Sequence, residues 1–559
     1  MKNINRLGLL LLVVPGIAQA QPKKDSVEAR RKATSAQARF ELVRRQNLPI
    51  SYVGSGECDA RIGRFCQWNN EYDTIEARLP RVIRRAREGL IASLDSAAKR
   101  SPRDGWITGQ RVRYLIESRN DTAALRVARE CRAADWWCAA LEGLALHESL
   151  SGAAADSAFA RALRLMPEAE RCRWLNVTPV LDYSLQKKFK KVGCGKNEQV
   201  AERMWWLADP FWSIEGSDRR NEHYARHTMA KIQEPARNAY NLSWSNDLRE
   251  MVVRYGWARY WTRGPGNALE PTNGPISGHE ATPNYHFVPV SMSADTTPEV
   301  KFDLSLDASS ERYSPLIARR VFEIDPQTAV FRRGDSSRVV VAYDVTARPE
   351  LDSTPVTGAL IIAHDERSQH YRSTDSAERR GALSVVVDSR PQVMSLEVLN
   401  PANRRAAGWK RAVLPLKSYR RNAVSLSDPL MFEPTDSEVA DLETAMKTAI
   451  GGNSVRRGKV GIYWETYGLA RTDSAQPVSL TLTRVRVGTL RRIGQSIGLA
   501  SRASPLTIRW NQMISAESIT ARSVVLDLSL IPKGRYMLRI DAGSRNQIAA
   551  SSTRLIEIQ

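Results

Sequence analysis

Side chains that can transfer protons concentrate in the middle of the chain, and two of them are spaced like metal ligands. Glu222, His223 and His227 lie close together, and the two histidines are four residues apart on a predicted helix. Both rings could therefore face one ion. A zinc protease needs H-E-x-x-H, however, whereas Glu222 precedes the first histidine. We expect no metal and no cofactor, and we interpret the group as a Glu–His–Arg network on a surface helix.

Two other patterns have chemical meaning. An acid–base site, possible for an enzyme acting on glycans, would need five side chains in one cleft, namely Asp209, Glu222, His223, Asp247 and Arg254. The G-x-S-x-G pattern at Gly494–Gly498 matches a hydrolase nucleophile elbow. We reject a hydrolase, because the last histidine, His370, precedes Ser496 and the catalytic base would follow it in that fold.

The six cysteines all lie in the first 200 residues: Cys58, Cys66, Cys131, Cys138, Cys172 and Cys194. An even number in an exported chain indicates a disulfide framework, and no C-x-x-C spacing points to zinc or thiol redox chemistry. The spacing favours pairing in sequence order, although the sequence permits other pairings.

Helical periodicity runs from about Thr74 to Leu181, and a polar, arginine-rich helix over Asp25–Gln46 precedes it as a partly exposed arm. Residues 136–169 resemble a tetratricopeptide repeat, whose helices stack into a scaffold with a concave face. The matching positions are Gly143, Leu146, Ala155, Phe159, Ala162 and Pro167. A degenerate repeat one length earlier would use Gly109, Val112, Leu125 and Ala128.

The stretch Met204–Gly256 resembles the GWxTD-domain proteins, an exported bacterial family. This resemblance implies no particular reaction for the chain. Three elements carry the likeness: W-x-L-x-D-P at Trp205, Leu207, Asp209 and Pro210; E-H-Y-x-R at Glu222, His223, Tyr224 and Arg226; and R-Y-G at Arg254, Tyr255 and Gly256. The name-giving motif is altered to Ser243-Trp244-Ser245-Asn246-Asp247.

Physical reasoning gives this last region a structural role. Asn246 and Asp247 can cap or turn the chain, and Met251–Val253 is predicted as a short strand that ends at Gly256. Pairing of Arg254 with Asp247 across the turn would hold Trp244 against a sheet.

From about Thr297 the apolar residues alternate with period two, which predicts strands. The fold class is thus a multi-domain α+β protein, with a helical, tetratricopeptide-like N-terminal region, a mixed central module and two C-terminal β-sandwich-like domains. The expected boundaries are 1–20 for a signal peptide, 21–57 for the helical arm, 58–195 for the disulfide-stapled helical domain, 196–290 for the central module and linker, 291–415 for the first β domain, and 416–559 for a connector and the second.

The N-terminus predicts export. Lys2 and Arg6 precede an apolar run at Leu7–Ile17, and Ala18-Gln19-Ala20 is a typical cleavage site. No later apolar run is long enough to span a bilayer. The mature chain is therefore expected in the periplasm or outside the cell, without a transmembrane segment.

Length and charge complete the functional expectation. At 559 residues the chain needs several cores, and its net charge of +21 attracts anionic surfaces. No nucleic-acid module is recognisable, so we expect no nucleic acid as a partner. The sequence favours a non-catalytic scaffold or interaction protein of the cell envelope with a protein partner. The alternatives are the acid–base enzyme described above and arginine-mediated binding to anionic lipid or glycan.

Overall fold

Helices occupy the first half of the chain and strands the second. The computed structural model describes residues 20–50, 60–67, 79–189, 193–266, 274–279, 283–291, 302, 304, 311–318, 320–351, 355–365, 367–373, 378–400, 404–416, 424–435, 439, 441–468, 475–485, 505–513, 519–544 and 547–559. The predicted signal peptide (apart from Ala20), Cys58 and the Gly494–Gly498 pattern lie outside these residues.

Twelve α-helices are described: α1 Ala20–Gln46, α2 Arg81–Arg100, α3 Gly105–Glu117, α4 Asp121–Arg129, α5 Asp135–Glu148, α6 Gly152–Leu165, α7 Glu168–Trp174, α8 Tyr183–Phe189, α9 Cys194–Ala208, α10 Asp218–Gln233, α11 Asn246–Tyr255 and α12 Leu442–Lys447. Within this part of the chain, no helix combines the length and apolar character needed to cross a membrane.

Strands β1 Ala60–Ile62, β2 Phe65–Gln67, β3 Tyr260–Arg263 and β4 Ile276–His279 form two small hairpins. The others are β5 Arg320–Glu323, β6 Gln327–Arg333, β7 Ser336–Asp344, β8 Thr357–Ala363, β9 Gln369–Ser373, β10 Arg380–Asp388, β11 Gln392–Leu399, β12 Ala406–Leu414, β13 Ser425–Leu426, β14 Leu430–Phe432, β15 Ser454–Val455, β16 Lys459–Tyr467, β17 Ala475–Arg484, β18 Leu506–Met513, β19 Ile519–Asp527, β20 Gly534–Ser544 and β21 Gln547–Ile558.

The chain forms two compact units, each built from three separate segments. The helical unit contains Met1–Pro179, Gly216–Thr282 and Ser310–Tyr313. The β unit contains Val180–Glu215, Pro283–Ser309 and Ser314–Gln559.

In the helical unit, α1 packs against α2, and α3 to α6 pack in sequence order. The helix at 25–46 is confirmed, and it is partly exposed as predicted: Ala29, Ala33 and Phe40 are buried in a core shared with α2 and α3, and its other side is exposed. Its small residues allow a close approach of α2, and the sequence did not reveal this partner.

The helical hairpins α3–α4 and α5–α6 turn in the same way. Each first helix ends at a residue with positive φ, Arg119 or Leu150, after which the next amide donates to a carbonyl of the preceding turn. These residues are 31 apart, whereas the predicted equivalences, such as Gly109 with Gly143, assume a repeat of about 34. Phe159 fills the space over Gly143, since a Cβ there would lie 2.7 Å from the ring.

The β unit contains two sandwich-like pairs of sheets. In the first, β5-β12-β11-β8-β9 faces β10-β7-β6, and the apolar side chains of both sheets share one core. In the second, β13-β16-β14 with β19 faces β15-β21-β20-β17-β18. Tyr536, Leu538 and Ile540 point into this core, as their alternation predicts.

Disulfides are confirmed in the helical half. Cys131 is bonded to Cys138, and Cys172 and Cys194 are both disulfide-bonded. No described cysteine is free.

Candidate functional site

Helix α10, which carries E-H-Y-x-R, is the most buried helix of the central motif. Twelve of its 16 residues are buried, including Arg219, Glu222, His223, Arg226 and His227. Helices α3, α5, α6 and α11 pack around it. The predicted surface location is therefore wrong. A pattern this rich in charge is typical of an exposed helix, and only the surrounding helices supply the partners that allow its burial.

Glu222 is held between Arg226 and His147. Its carboxylate accepts from Arg226 Nε at 2.5 Å and lies 2.8 Å from His147 Nε2. Burial acts to raise the pKa of Glu222, but Arg226 and His147 together hold that pKa well below its usual value. Burial acts to lower the pKa of His147, whereas Glu222 and Asp218 raise it above the usual value. The arrangement is a buried Arg–Glu–His ion network whose carboxylate is already committed to two partners.

The two histidines of α10 lie inside the core and contact each other. His223 Nε2 is 3.0 Å from the carbonyl oxygen of Trp174, and the two imidazole rings meet edge to face at 4.7 Å. Burial lowers the pKa of His223 well below its usual value. Burial, with the charges of Arg173 and Arg249, lowers the pKa of His227 to about 3. Both rings are thus neutral at neutral pH. Among the described residues, no group of three or more His, Cys, Asp or Glu is arranged to hold a metal ion.

Arg226, the arginine of E-H-Y-x-R, links this element to R-Y-G. Its guanidinium donates to the carbonyl oxygens of Arg254 at 2.7 Å and Arg312 at 2.6 Å. The first of these belongs to the last turn of α11, where carbonyls lack partners within the helix. Gly256 follows with φ of 80°, and a Cβ there would lie 3.5 Å from the guanidinium. Arg226 therefore caps α11, and glycine lets the chain leave beside it.

Residues 311–313, which we call the strap, form a second segment that is bound to α10. Glu311 forms a fully buried ion pair with Arg219, and the Tyr313 hydroxyl donates to Asp218. The amide of Arg312 donates to the Arg254 carbonyl at 3.0 Å. The polar face of α10 thus binds a short peptide of the same chain.

The altered name-giving motif begins a helix. Residues 246–255 form α11, so the predicted strand at Met251–Val253 is wrong; its apolar residues match helical spacing as well as strand spacing. Asp247 accepts from Arg64 Nε at 2.7 Å rather than from Arg254, which pairs with Glu250. Trp244 packs against the helical core, not a sheet.

The hairpin β1–β2 brings Arg64 to this position. Gly63 at its turn has φ of 52°, and a Cβ there would lie 2.6 Å from that of Asp247. The hydrogen bond from Arg64 keeps the pKa of Asp247 well below its usual value, with help from Ser245 and against the opposing effect of burial. The carboxylate also complements the positive end of α11.

The W-x-L-x-D-P element belongs to the β unit and ends α9. Trp205, Leu207 and Pro210 are buried. Arg411 donates to the carbonyl oxygens of Leu207 at 2.6 Å and Asp209 at 2.7 Å, so an arginine also caps this helix end. Glu397 accepts from two amides further along the chain, those of Trp212 and Ser213.

The candidate acid–base residues of the helical unit do not share one set of contacts. Glu222 bonds to His147 and Arg226, His223 to the Trp174 carbonyl, Asp247 to Arg64, and Arg254 to Glu250. Sequence reasoning missed His147, Glu311, Arg64, Glu397 and Arg411. Each comes from a segment far from its partner, so no local spacing signals the contact.

Comparison with known proteins does not identify a family. No protein-family model matches the sequence, and no characterised protein matches it. Among solved structures, the chain is similar to chicken CNTN1 FN1-FN3 domains, at 10% identity, covering 43% of this chain and 69% of that one, with a TM-score of 0.15. A two-domain fibronectin type III segment of chicken tenascin matches at 8% identity, covering 42% and 99%, with a TM-score of 0.13. Red sea bream transglutaminase matches at 11% identity, covering 43% and 32%, with a TM-score of 0.14. These scores are too low to support an argument about this chain.

Proposed function

We propose that this protein is an exported scaffold or interaction protein of the cell envelope, without catalytic activity. The observation that carries the proposal is how the charged side chains of the central motif are used. Arg226 caps one helix, Arg219 binds the strap, and Glu222 contacts Arg226 and His147 inside the core. A catalytic acid or base must reach a substrate, whereas these groups hold parts of the chain together.

The architecture supports the same proposal. Helical hairpins that repeat a turn geometry are typical of binding scaffolds, and we propose that α3–α6 form a tetratricopeptide-like array. Disulfides such as Cys131–Cys138 are typical of oxidising compartments, which agrees with the proposed signal peptide at 1–20. We also propose that the chain is related to the GWxTD-domain proteins and that its motif residues stabilise the fold.

The test is site-specific crosslinking in the native host. A photo-crosslinking residue at Leu165, 51% exposed on α6, is compared with one at Leu530, 95% exposed in the β unit. We expect one defined envelope protein to be crosslinked from Leu165 in low salt and in high salt alike, because a shape-specific interface depends little on screened charge. If no defined protein is crosslinked from either position, the proposal is contradicted.

Catalysis is tested on the purified full chain with envelope glycans as substrate. The variant Asp247→Asn is the appropriate probe, since Asp247 lies at the edge of the core and its loss leaves the buried network of α10 intact. We expect no release of sugar ends from either protein. Release by the native chain that Asp247→Asn abolishes would establish the enzyme instead.

A further inference from the structure

The outer face of the α1–α2 hairpin carries an unusual set of exposed cations. Eight lysine or arginine residues of the two helices are exposed and form no salt bridge in the described part of the chain, although Glu28 also attracts Arg31 and Arg100: Lys24, Arg31, Arg39, Arg81, Arg84, Arg85, Lys99 and Arg100. The exposed acids on the same helices are few, and Glu28 is already paired with Lys32 at 2.6 Å. The face is therefore strongly positive.

Helical geometry places these cations on one side. On α1 the buried residues Ala29, Ala33 and Phe40 define the inner face, and Lys24 and Arg31 fall on the opposite stripe. On α2 the inner face is defined by Ile83, Leu90 and Leu94, and the outer stripe contains five of the six cations. The inner faces share one core, so both outer stripes lie on the outside of the hairpin.

The two helices run antiparallel, which distributes the charge along the whole face. Ser26 contacts Ser101 at 2.8 Å, and Arg30 contacts Asp104, so the start of α1 lies beside the end of α2. At about 1.5 Å per residue, α2 alone extends roughly 30 Å. The cations thus cover an elongated strip rather than one binding pocket.

Three exposed apolar side chains lie among these cations. Val27 is 70% exposed, Leu42 45% and Val82 52%, and all three lie on the outer stripes. A soluble polyanion gains nothing from such residues. An anionic bilayer attracts the cations and also accepts apolar side chains at the boundary between headgroups and acyl chains.

We propose that the outer face of α1–α2 lies on an anionic phospholipid membrane surface, with its cations among the headgroups and its apolar side chains inserted. This deepens the proposed function by naming the surface on which an envelope scaffold would rest. It requires no change in the fold, because the face is already presented by helices whose inner sides are packed.

The experiment measures sedimentation of the full chain with phosphatidylcholine vesicles, with and without phosphatidylglycerol. We expect binding only with phosphatidylglycerol and loss of binding as salt rises. Arg84→Glu/Arg85→Glu should weaken binding at least about tenfold. The matched control is Arg456→Glu/Arg457→Glu, which makes the same charge change at exposed residues of the β unit and should bind almost as well as the native chain.

A second pair of measurements separates a lipid surface from a soluble polyanion. Val27→Ser/Val82→Ser should weaken vesicle binding a few-fold and leave binding to heparin unchanged. No effect of these changes on vesicle binding would overturn the membrane proposal, and equal effects of the two arginine pairs would overturn the assignment to this face. Circular dichroism checks that every variant is folded. Partner crosslinking from Leu165 is read separately, so failure here is distinguishable from failure of the proposed scaffold.

Discussion

Replacing Arg226 by methionine tests whether the central motif stabilises the fold. Methionine keeps most of the apolar volume but removes the cation beside buried Glu222 and the donors to the Arg254 and Arg312 carbonyls. Breaking a buried ion pair costs about 3–5 kcal/mol, and each orphaned carbonyl adds roughly 1 kcal/mol or more. We expect a loss of about 5–7 kcal/mol, a large part of the stability of a typical domain.

The assay is urea unfolding followed by the helical circular dichroism signal, most of which comes from the helical unit. The control is Arg249→Met, because Arg249 forms a half-exposed pair with Glu234 at 2.8 Å, and it should cost less than about 1 kcal/mol. Similar unfolding midpoints for the two variants would refute the reasoning, since Arg226 would then contribute no more than a surface cation.

Three further results are expected. Gly143→Ala should lose about 1–3 kcal/mol in urea unfolding, because its Cβ would lie 2.7 Å from Phe159, and Phe159→Leu should restore part of the loss. The pH dependence of the unfolding midpoint should have two limbs. The lowered pKa of Glu222 gives stability above its usual value of 4.5 that is lost in acid, and the lowered pKa values of buried His223 and His227 add to this acid limb below 6.5. The raised pKa of His147 gives stability below 6.5 that declines as pH rises through the folded pKa. His147→Gln should remove the second limb and weaken the acid limb, because His147 also helps to lower the pKa of Glu222. Arg64→Ala should speed amide hydrogen exchange at the start of α11 a few-fold while the global unfolding midpoint stays unchanged.

Periodicity predicted the broad distribution of structure well. The helical first half and the β second half follow from apolar spacing of 3.6 and 2, which depends only on which face is buried. The same rule failed at Met251–Val253, because three adjacent apolar residues fit a strand and a helix equally well. Ser245, immediately before the first residue of α11, is a residue type that often starts helices.

The candidate site was less predictable than the fold. The sequence drew attention to Glu222 and His223, but it suggested an exposed network, because charged residues are rarely buried. Their burial depends on His147 and on packing by α3, α5, α6 and α11, which are remote in sequence. Long-range ion pairs have no spacing rule, so neither Glu311 nor Arg64 could be assigned to its partner.

The discontinuous composition of the helical unit imposes an order on biosynthesis. Its last part, the strap, is made only after 36 residues of the β unit, Val180–Glu215, and a further segment, Pro283–Ser309, have left the ribosome. Until Glu311 emerges, Arg219 has no anionic partner from the strap at a site that is fully buried in the finished protein. Domains usually complete their folding one after another during synthesis. Here α10 lacks its contacts with the strap until residue 311 and its neighbours have been synthesised. A chain that ends before residue 311 would lack these contacts permanently.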